Sequence, residues 1–480
     1  MASAVSDTDV RLDPEFLRAF RGGRLTDEQA ERFLDRDPLE AKLLLLQLSA
    51  AIAPAGSPHA PPSSRSPFEK ALPKTGKRKG KPGGKPGHAG HARPEPGRID
   101  RKVGLRLTAC PECGGELKRT GRTRRRVVED LPADLRAEAT EPTIHRDWCP
   151  CCRKQVEPAV PDALPACTLG HRAVTLSAFL HYGVGTTTSQ VAEVFNAHLQ
   201  LKVSEGGFTG MWHRLADLLK PWYERIWEKC SAASVLNADE TGWYRNGVLV
   251  WLWCFCTPRE TYYAIDESRG RAALDRVFAK EFRGILVTDF WRVYDGAARM
   301  NRKCWAHLLR ELKGVEDRPE GARDDWPAFA KKLRRIYTDA VRVAAAHGAM
   351  PAAERDSKVC ALHARVTELA CADWTHPDAR RLADRLLKYG PELLTFAEVP
   401  GVPPTNNRAE REIRPAVLMR KASYGSASER GAQTRAILMS VYRTLKNRSL
   451  DPLEEVRKAL ETYTRTGVLP QLPGDEASAG

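Results

Sequence analysis

Two short apolar segments of this 480-residue chain each run into an aspartate, and this feature constrains the fold most. Val235–Ala238 leads into Asp239, and Ile285–Val287 leads through one threonine into Asp289, 50 residues further on. Such runs of aliphatic and β-branched residues predict buried strands. Two acids at the ends of neighbouring strands would reach one cation, and without it their like charges would repel. The pattern predicts two strands of one sheet that end beside a metal ion.

Backbone geometry selects among the acids near this site. Successive side chains of a strand point to opposite faces, so Asp239 and Glu240 cannot both serve one site, and the matching aspartate on the other strand favours Asp239. The segment "TNN" supplies two asparagines that can cap the helix after it. On that helix Glu412 is rotated by about 200° from Glu410, so only one of the two can face the site. We expect Glu410 to supply a third carboxylate; a solvated, charged helix face is the alternative.

Between residues 231 and 445 the pattern alternates strands with helices. Two β-rich stretches follow the first strand as a meander, and a helix then leads to the second apolar strand. We expect "RVYDGAARM" to be helical and "RKCWAH" to be a fifth strand that His307 closes. A helical stretch from about 310 to 395 precedes the helix that carries the third acid. This order predicts an α/β domain with a mixed sheet and a helical insertion.

The positive charge of the chain is concentrated in one segment. The net charge is +15, and between Arg65 and Arg126 there are 19 Lys and Arg against 5 Asp and Glu, a difference of +14. The segment is rich in Gly and Pro and has no hydrophobic period, which favours a nucleic-acid partner; a solubilising tail is the alternative. The residues expected to bind DNA are Lys74, Lys77, Arg78, Lys79, Lys81, Lys85 and Arg93.

Four of the twelve cysteines form two C-x-x-C pairs, Cys110 with Cys113 and Cys149 with Cys152. Two such knuckles predict a zinc ribbon in which four thiolates hold one structural Zn²⁺, with a pair of strands between the knuckles. Pairing of Cys149 with Cys151 stays open, and four buried cysteines are the alternative.

The remaining segments are assigned by composition and periodicity. No apolar run approaches the roughly 20 residues of a membrane span, and the N-terminus lacks the pattern of a signal peptide, so we expect a cytoplasmic protein. The helices of 166–230 form either a helix-turn-helix or a packing subdomain. We divide the chain into an N-terminal helical segment (1–55), a basic linker (56–100), the zinc ribbon (101–165), a helical region (166–230), the α/β domain (231–445) and a C-terminal segment (446–480).

Four motifs together resemble the DDE transposases of the insertion sequence 66 family. They are, in order, "NADETGW", "VTDFWRVYDG", "CWAHLLREL" and "TNNRAEREIRP". The upstream segments "GKPGGKPGHAGHAR" and "CPECGG…CPCC" are similar to further modules of that family, so the resemblance runs from about Pro67 to Leu469. The match is loose over 168–218, the N-terminal helical region is short, and Cys151 is extra.

The resemblance implies an RNase H-like catalytic core with a helical insertion. It implies that Asp239, Asp289 and Glu410 form a triad that binds two Mg²⁺ or Mn²⁺ ions, in a site of oxygen ligands only. His307 would contact a phosphate or position a metal-bound water, unless it is a structural histidine.

The same resemblance implies DNA transposition as the function. The partners would be element ends and target DNA, further copies of the chain in the DNA complex, and two small accessory proteins encoded by the same element, at the nucleoid. The alternatives are a non-enzymatic zinc-ribbon DNA-binding protein derived from a transposase and an RNase H-like nuclease.

Overall fold

The computed structural model of the chain describes residues 96–118, 123–132, 134–278, 281–318 and 321–475. The predicted N-terminal helical segment, 1–55, and the seven cations from Lys74 to Arg93 lie outside the described residues.

The region of the paired cysteines contains one short hairpin among its described residues. Strands β1 (Asp147–Cys149) and β2 (Lys154–Val156) pair antiparallel around the turn of the second cysteine pair. The prediction of two strands between the knuckles is wrong for residues 123–132 and 134–146, because none of these residues forms a strand before β1. Apolar side chains there, such as Val128, are exposed, so the segment lacks the buried face that stabilises a sheet.

Among the described residues, three helices precede the large sheet: α1 (His171–Ala178), α2 (Thr188–Glu193) and α3 (Glu205–Ser231). The first two continue into wider turns over Phe179–Val184 and Val194–His198. The buried residues of α3 belong to the same hydrophobic core as the sheet, so this helix packs on the α/β domain. A helix-turn-helix function for this region stays a prediction. No helix among the described residues combines the length and the apolar character that a membrane crossing requires.

Five strands form one mixed sheet in the order β5-β4-β3-β6-β7. They are β3 (Val235–Arg245), β4 (Val248–Cys256), β5 (Thr261–Asp266), β6 (Phe282–Thr288) and β7 (Ala298–Lys303), with helix α4 (Arg271–Phe278) between β5 and β6. The first three form an antiparallel meander, and β6 and β7 continue the sheet as parallel strands. Asn246 and Gly247, with φ of 49° and 75°, make the two-residue turn between β3 and β4. The predicted mixed sheet is confirmed.

The fifth strand lies earlier in the chain than predicted. Arg292–Tyr294 forms a single 3₁₀ turn, Gly296 takes a φ of 69°, and β7 begins at Ala298, so "RVYDGAARM" is not a helix. The residues after this turn pair in parallel with β6, and the pairing keeps them in the extended conformation of a strand. The strand is over before Cys304, whose N–H donates to the Thr288 carbonyl at 2.9 Å.

Four helices form the insertion, and three more complete the described chain. The insertion consists of α5 (Trp305–Glu316), α6 (Trp326–Ala345), α7 (Ala352–Cys371) and α8 (Pro377–Glu398). The last three helices are α9 (Asn407–Ser423), α10 (Glu429–Asn447) and α11 (Pro452–Thr466). A helical insertion before the helix of Glu410 was expected, and the structure agrees.

Strand β6 separates two hydrophobic cores. Leu286 belongs to the core shared by the sheet, α3 and α10, whereas Ile285 and Val287 belong to the core of the insertion helices. Successive residues of a strand face opposite sides, so the insertion covers the face of the sheet that α3 and α10 leave free. The carboxyl end of β6 therefore lies at the boundary between the two cores.

Candidate active site

The two aspartates lie where strands β3 and β6 separate. These strands pair in parallel over Val235–Asn237 only, whereas at Asp239 strand β3 remains paired with β4, opposite Cys254. Asp289 follows the last residue of β6. The expectation that the first strand ends at Asp239 is wrong, because it continues to Arg245 and only its pairing with β6 stops. The opening between the two strands leaves room for side chains from another element.

Asp239 is buried among other acids. Its residue is 9% exposed, and burial, followed by the charges of Glu240, Asp289 and Glu410, raises its pKa well above the ordinary 3.8. Its Oδ1 accepts the N–H of Glu240 at 3.0 Å, and no cationic side chain among the described residues forms an ion pair with it. The charges of the other two predicted acids, Asp289 and Glu410, therefore act on Asp239. Among the described residues the three carboxylates do not form a group with ligand atoms within 4.8 Å of one another, so a metal site shared by all three stays a prediction. The charge of Asp239, which no cationic side chain there pairs, is what a divalent cation would neutralise.

Glu240 is bound on the other side of the strand. Arg269 donates to its Oε1 from Nη2 at 2.9 Å and from Nε at 3.1 Å, and the Tyr294 hydroxyl donates to Oε2 at 2.5 Å. Burial and the charge of Asp289 raise the pKa of Glu240, although Arg269 and Tyr294 act in the opposite direction. Both its oxygens therefore have partners from neighbouring loops, and the exclusion of Glu240 from the metal site by strand alternation stays a prediction.

Asn406 fixes the start of α9 against β3. Its Nδ2 donates to the Ala238 carbonyl at 2.7 Å, and its Oδ1 accepts from the Asn237 amide at 2.9 Å. Its own backbone N–H donates to Cys304 Sγ at 3.0 Å. A capping role for its side chain is wrong: Asn406 precedes the first residue of α9, but its side chain makes no cap hydrogen bond. The side chain instead holds the first turn, which carries Glu410, close to the strand of Asp239.

Glu412 faces away from the site, as the helix geometry predicts. It is 5% exposed, and its Oε2 accepts from Thr261 Oγ1 at 3.1 Å and from Arg443 Nε at 2.9 Å. Its backbone carbonyl accepts the hydroxyl of Tyr263. Glu412 therefore belongs to the contact of α9 with β5 and α10.

Two side chains of α5 approach Glu410. Arg310 Nη2 donates to Glu410 Oε1, and His307 Nε2 lies 3.9 Å from the same oxygen. The expectation that His307 closes a strand is wrong, because β7 ends at Lys303 and His307 lies in the first turn of α5. Sequence reasoning missed Arg310, although its spacing of three residues from His307 places both on one helix face and could have indicated it.

A thiol and an imidazole lie beside Glu410, whereas the sequence predicted oxygen ligands only, and the ligand set of the metal stays a prediction. One ligand atom from each of Cys304, His307 and Glu410 lies within 4.8 Å of the other two. Burial lowers the pKa of His307, but the contact with Cys304 and its negative charge raise it more, so the net pKa lies above 6.5. Arg310 binds Glu410, and the charge of Arg302 acts on Cys304. Two guanidinium groups beside this cluster disfavour a cation held by the thiol.

The cysteines of each predicted zinc knuckle lie close together. Gly114 N–H donates to the Cys110 carbonyl at 2.9 Å, and Cys152 N–H donates to Cys149 Sγ at 3.4 Å. Backbone hydrogen bonds from Cys113 and Cys152 lower the pKa of Cys110 and Cys149, respectively. Within the described part of the chain, the two pairs do not meet as a group of three or more ligand atoms within 4.8 Å. One shared zinc site therefore stays a prediction.

Comparison with known proteins places the chain among the transposases. It belongs to the IS66 family of transposases, whose family model matches residues 167–434, more than half of the chain. The match contains the whole large sheet and α9, and it confirms the family expected from the motifs. The uncharacterized protein y4qI of Sinorhizobium fredii is 27% identical over 239 residues. That alignment covers 44% of this chain and 43% of the relative, so the chain spans less than half of that protein.

Proposed function

We propose that this protein cleaves and joins DNA ends in transposition, and that Asp239, Asp289 and Glu410 hold the divalent cations of the reaction. The observation that carries this proposal is that two further acids, Asp289 after the end of β6 and Glu410 in the first turn of α9, act by their charges on the buried carboxylate of Asp239 on β3. Asp239 has no ion-pair partner within the described residues, so the residues present fit a cation. Membership of the IS66 family supports the same reaction.

The strand order supports an RNase H-like core. In the antiparallel meander followed by two parallel strands, the first acid lies on β3 and the second directly follows the adjacent strand β6. The four insertion helices then separate β7 from α9, which carries the third acid. This is the order of elements that the resemblance in the sequence implies.

The chain supplies ligands and their positioning for phosphoryl transfer. Asp239, Asp289 and Glu410 would hold two Mg²⁺ or Mn²⁺ ions, and the chemistry such ions would supply is the activation of a water or a 3′-hydroxyl and the stabilisation of the leaving 3′ oxygen. The carboxylates of Asp239 and Asp289 offer the hard oxygen ligands that these ions prefer. Arg269 and Tyr294 keep Glu240 out of the ligand set. His307, whose Nε2 lies 3.9 Å from Glu410 Oε1, would donate a hydrogen bond to a phosphate oxygen in this proposal.

The outer face of α9 supports DNA as the partner. Arg411, Arg414 and Lys421 are exposed and lie within about 80° of one another around an ideal helix. None of the three has an ion-pair partner among the described residues. Because this face begins one residue after Glu410, its cations are suited to phosphates on either side of the cleaved bond. The basic segment Lys74–Arg93 would add sequence-independent affinity.

The proposed reaction is tested with the element's own ends, target DNA and Mg²⁺, with and without the two small accessory proteins that the resemblance implies. The wild-type protein should yield cleaved ends and joined products, whereas Asp289→Asn should yield neither and should still bind DNA. Asp275→Asn, which changes an exposed aspartate on α4, is the matched control and should behave as wild type. Cleavage without joining would identify a nuclease, and binding without cleavage would identify a non-enzymatic DNA-binding protein.

We further propose that Cys110, Cys113, Cys149 and Cys152 bind one structural Zn²⁺, whose four thiolates leave no open position for catalysis. Metal analysis of the purified protein should find one zinc per chain. Cys113→Ser should lose the zinc and unfold the ribbon, because metal binding and folding are coupled in such sites. Cys151→Ser should keep it. A protein without zinc whose ribbon is folded would contradict the assignment.

A further inference from the structure

Arg310 binds the carboxylate that the proposed function assigns to the metal. We infer that this arginine has two positions: it holds Glu410 while the site lacks a cation, and it turns to a phosphate oxygen of the DNA when Glu410 takes up the cation. The inference rests on the proposed function, since it requires Glu410 to be a metal ligand. It adds a coupling between DNA binding and metal binding, carried by one side chain.

The first observation is the charge around the three acids. Arg310 Nη2 donates to Glu410 Oε1, and it is the one arginine or lysine of the described residues that forms an ion pair with any of the three. Asp239 and Asp289 have no ion-pair partner there. A guanidinium and a metal ion that bind the same carboxylate oxygen compete, because both are cations and both use its lone pairs. Arg310 therefore opposes the uptake of a cation by Glu410 in this arrangement.

The second observation is the unused donor of Arg310. Its Nη1 is buried and has no hydrogen-bond partner among the described residues. Arg334, on the neighbouring helix, shows what a structural arginine does here: its two Nη atoms donate to the two oxygens of Glu316 at 2.6 and 2.8 Å. Arg310, in contrast, donates to Glu410 Oε1 alone and leaves its Nη1 without a partner among the described residues. A guanidinium offers a planar pair of donors that matches two phosphate oxygens.

The third observation is that Arg310 can be reached from outside. Its side chain is 28% exposed, and that of Glu410 is 21% exposed, so DNA can approach both without unfolding of α5. Arg310 also lies one turn after His307, which faces the same oxygen. A phosphate that binds Arg310 would free Glu410 for a cation. By linkage, the cation would strengthen DNA binding by the same factor.

The test measures Mn²⁺ binding by the full chain, from the free Mn²⁺ signal in electron paramagnetic resonance. Without DNA, Arg310→Met should bind Mn²⁺ about fivefold or more tightly than wild type, because the competing guanidinium is gone. A duplex that carries the element's end should tighten Mn²⁺ binding by wild type and have a smaller effect on Arg310→Met. Arg334→Met, which removes an ion pair to the same helix, should behave as wild type.

The outcomes separate this inference from the proposed function. If Asp239→Asn loses Mn²⁺ binding while Arg310→Met stays within about twofold of wild type, the two positions inferred for Arg310 are wrong and the metal site stands. An equal effect of DNA on Mn²⁺ binding by wild type and by Arg310→Met would also overturn the inference about Arg310. If Asp239→Asn binds Mn²⁺ like wild type, the metal site and the inference both fail. Arg310→Gln, checked by circular dichroism, replaces Arg310→Met if that variant does not fold, and the same tightening is expected.

Discussion

Helix α9 carries two acids that are two residues apart and meet opposite surroundings. Glu410 lies with Asp239 and Asp289, where the acids outnumber the cations. Glu412 lies against β5 and α10, where Arg443 and Thr261 satisfy its carboxylate. Each of the two has an arginine partner, Arg310 for Glu410 and Arg443 for Glu412, so the difference lies in the neighbouring acids. A buried acid whose charge is matched holds elements together, whereas a group with more acids than cations suits a cation from outside.

A second matched cluster extends the comparison. Arg448 Nη2 lies 3.1 Å from Glu260 Oε1 and 3.0 Å from Asp475 Oδ1, and the arginine side chain is almost fully buried. This cluster therefore fixes the end of the described chain to the turn before β5. No such arginine meets Asp239 among the described residues, although this aspartate is equally buried. The contrast locates the function on the side of α9 that faces β3 and β6.

The largest expected effect comes from exchanging the two acids of α9 for amides. Glu410→Gln should lower DNA cleavage by about a thousandfold or more, because several kcal/mol of metal-ion stabilisation are lost. Its stability should stay close to wild type. Glu412→Gln should keep the cleavage rate per folded molecule and lower the free energy of unfolding by about 1–3 kcal/mol, because Arg443 loses its charged partner. Cleavage kinetics and urea denaturation measure the two quantities.

The opposite result for the two variants would mean that the other face of α9 supplies the metal ligand. If Glu412→Gln were inactive and Glu410→Gln active, the third ligand would be Glu412. If both variants cut DNA normally, the two-metal mechanism would be wrong.

The next effect is a pH dependence of the protein's stability, caused by Asp239. Because the pKa of Asp239 is raised in the folded protein, its contribution to stability is present below the ordinary pKa of 3.8 and is lost as the pH rises through the raised value. Asp239→Asn removes that loss, so without metal the variant should gain stability over wild type as the pH rises through this window. Denaturation at a series of pH values measures the difference. Mn²⁺ should stabilise the wild type alone and reduce the gap, whereas a constant difference at all pH values would contradict the raised pKa.

The smallest effect concerns the third, outer face of α9. Replacing Arg411, Arg414 and Lys421 by glutamine should reduce the slope of log affinity against log salt by about 0.9 for each phosphate that the variant no longer binds. Fluorescence anisotropy with a labelled duplex measures this slope. Neutralising the segment Lys74–Arg93 should reduce it separately. The control removes three exposed cations from other surfaces: Lys202, Lys446 and Arg465. An unchanged slope in the α9 variant would assign DNA binding to another face.

Local periodicity was enough to predict several parts of the site. The apolar runs before Asp239 and Asp289 indicated the sheet, and the structure places their strands side by side. Strand alternation separated Glu240 from Asp239, and helix rotation separated Glu412 from Glu410. These predictions depend on backbone geometry over a few residues, which the sequence carries directly.

Only the tertiary structure decided which side chains surround each acid. Asn406 bonds to Asn237, 169 residues earlier, and Arg310 bonds to Glu410, 100 residues later. The end of pairing between β3 and β6 at Asn237 likewise depends on how the two strands diverge, since β3 itself continues through Asp239 to Arg245. The sequence by itself determined the acids, their order and the faces they occupy. Which of them found a cationic partner was decided only when distant segments packed together, because a side chain's charge partner depends on distance in space and not on position in the chain.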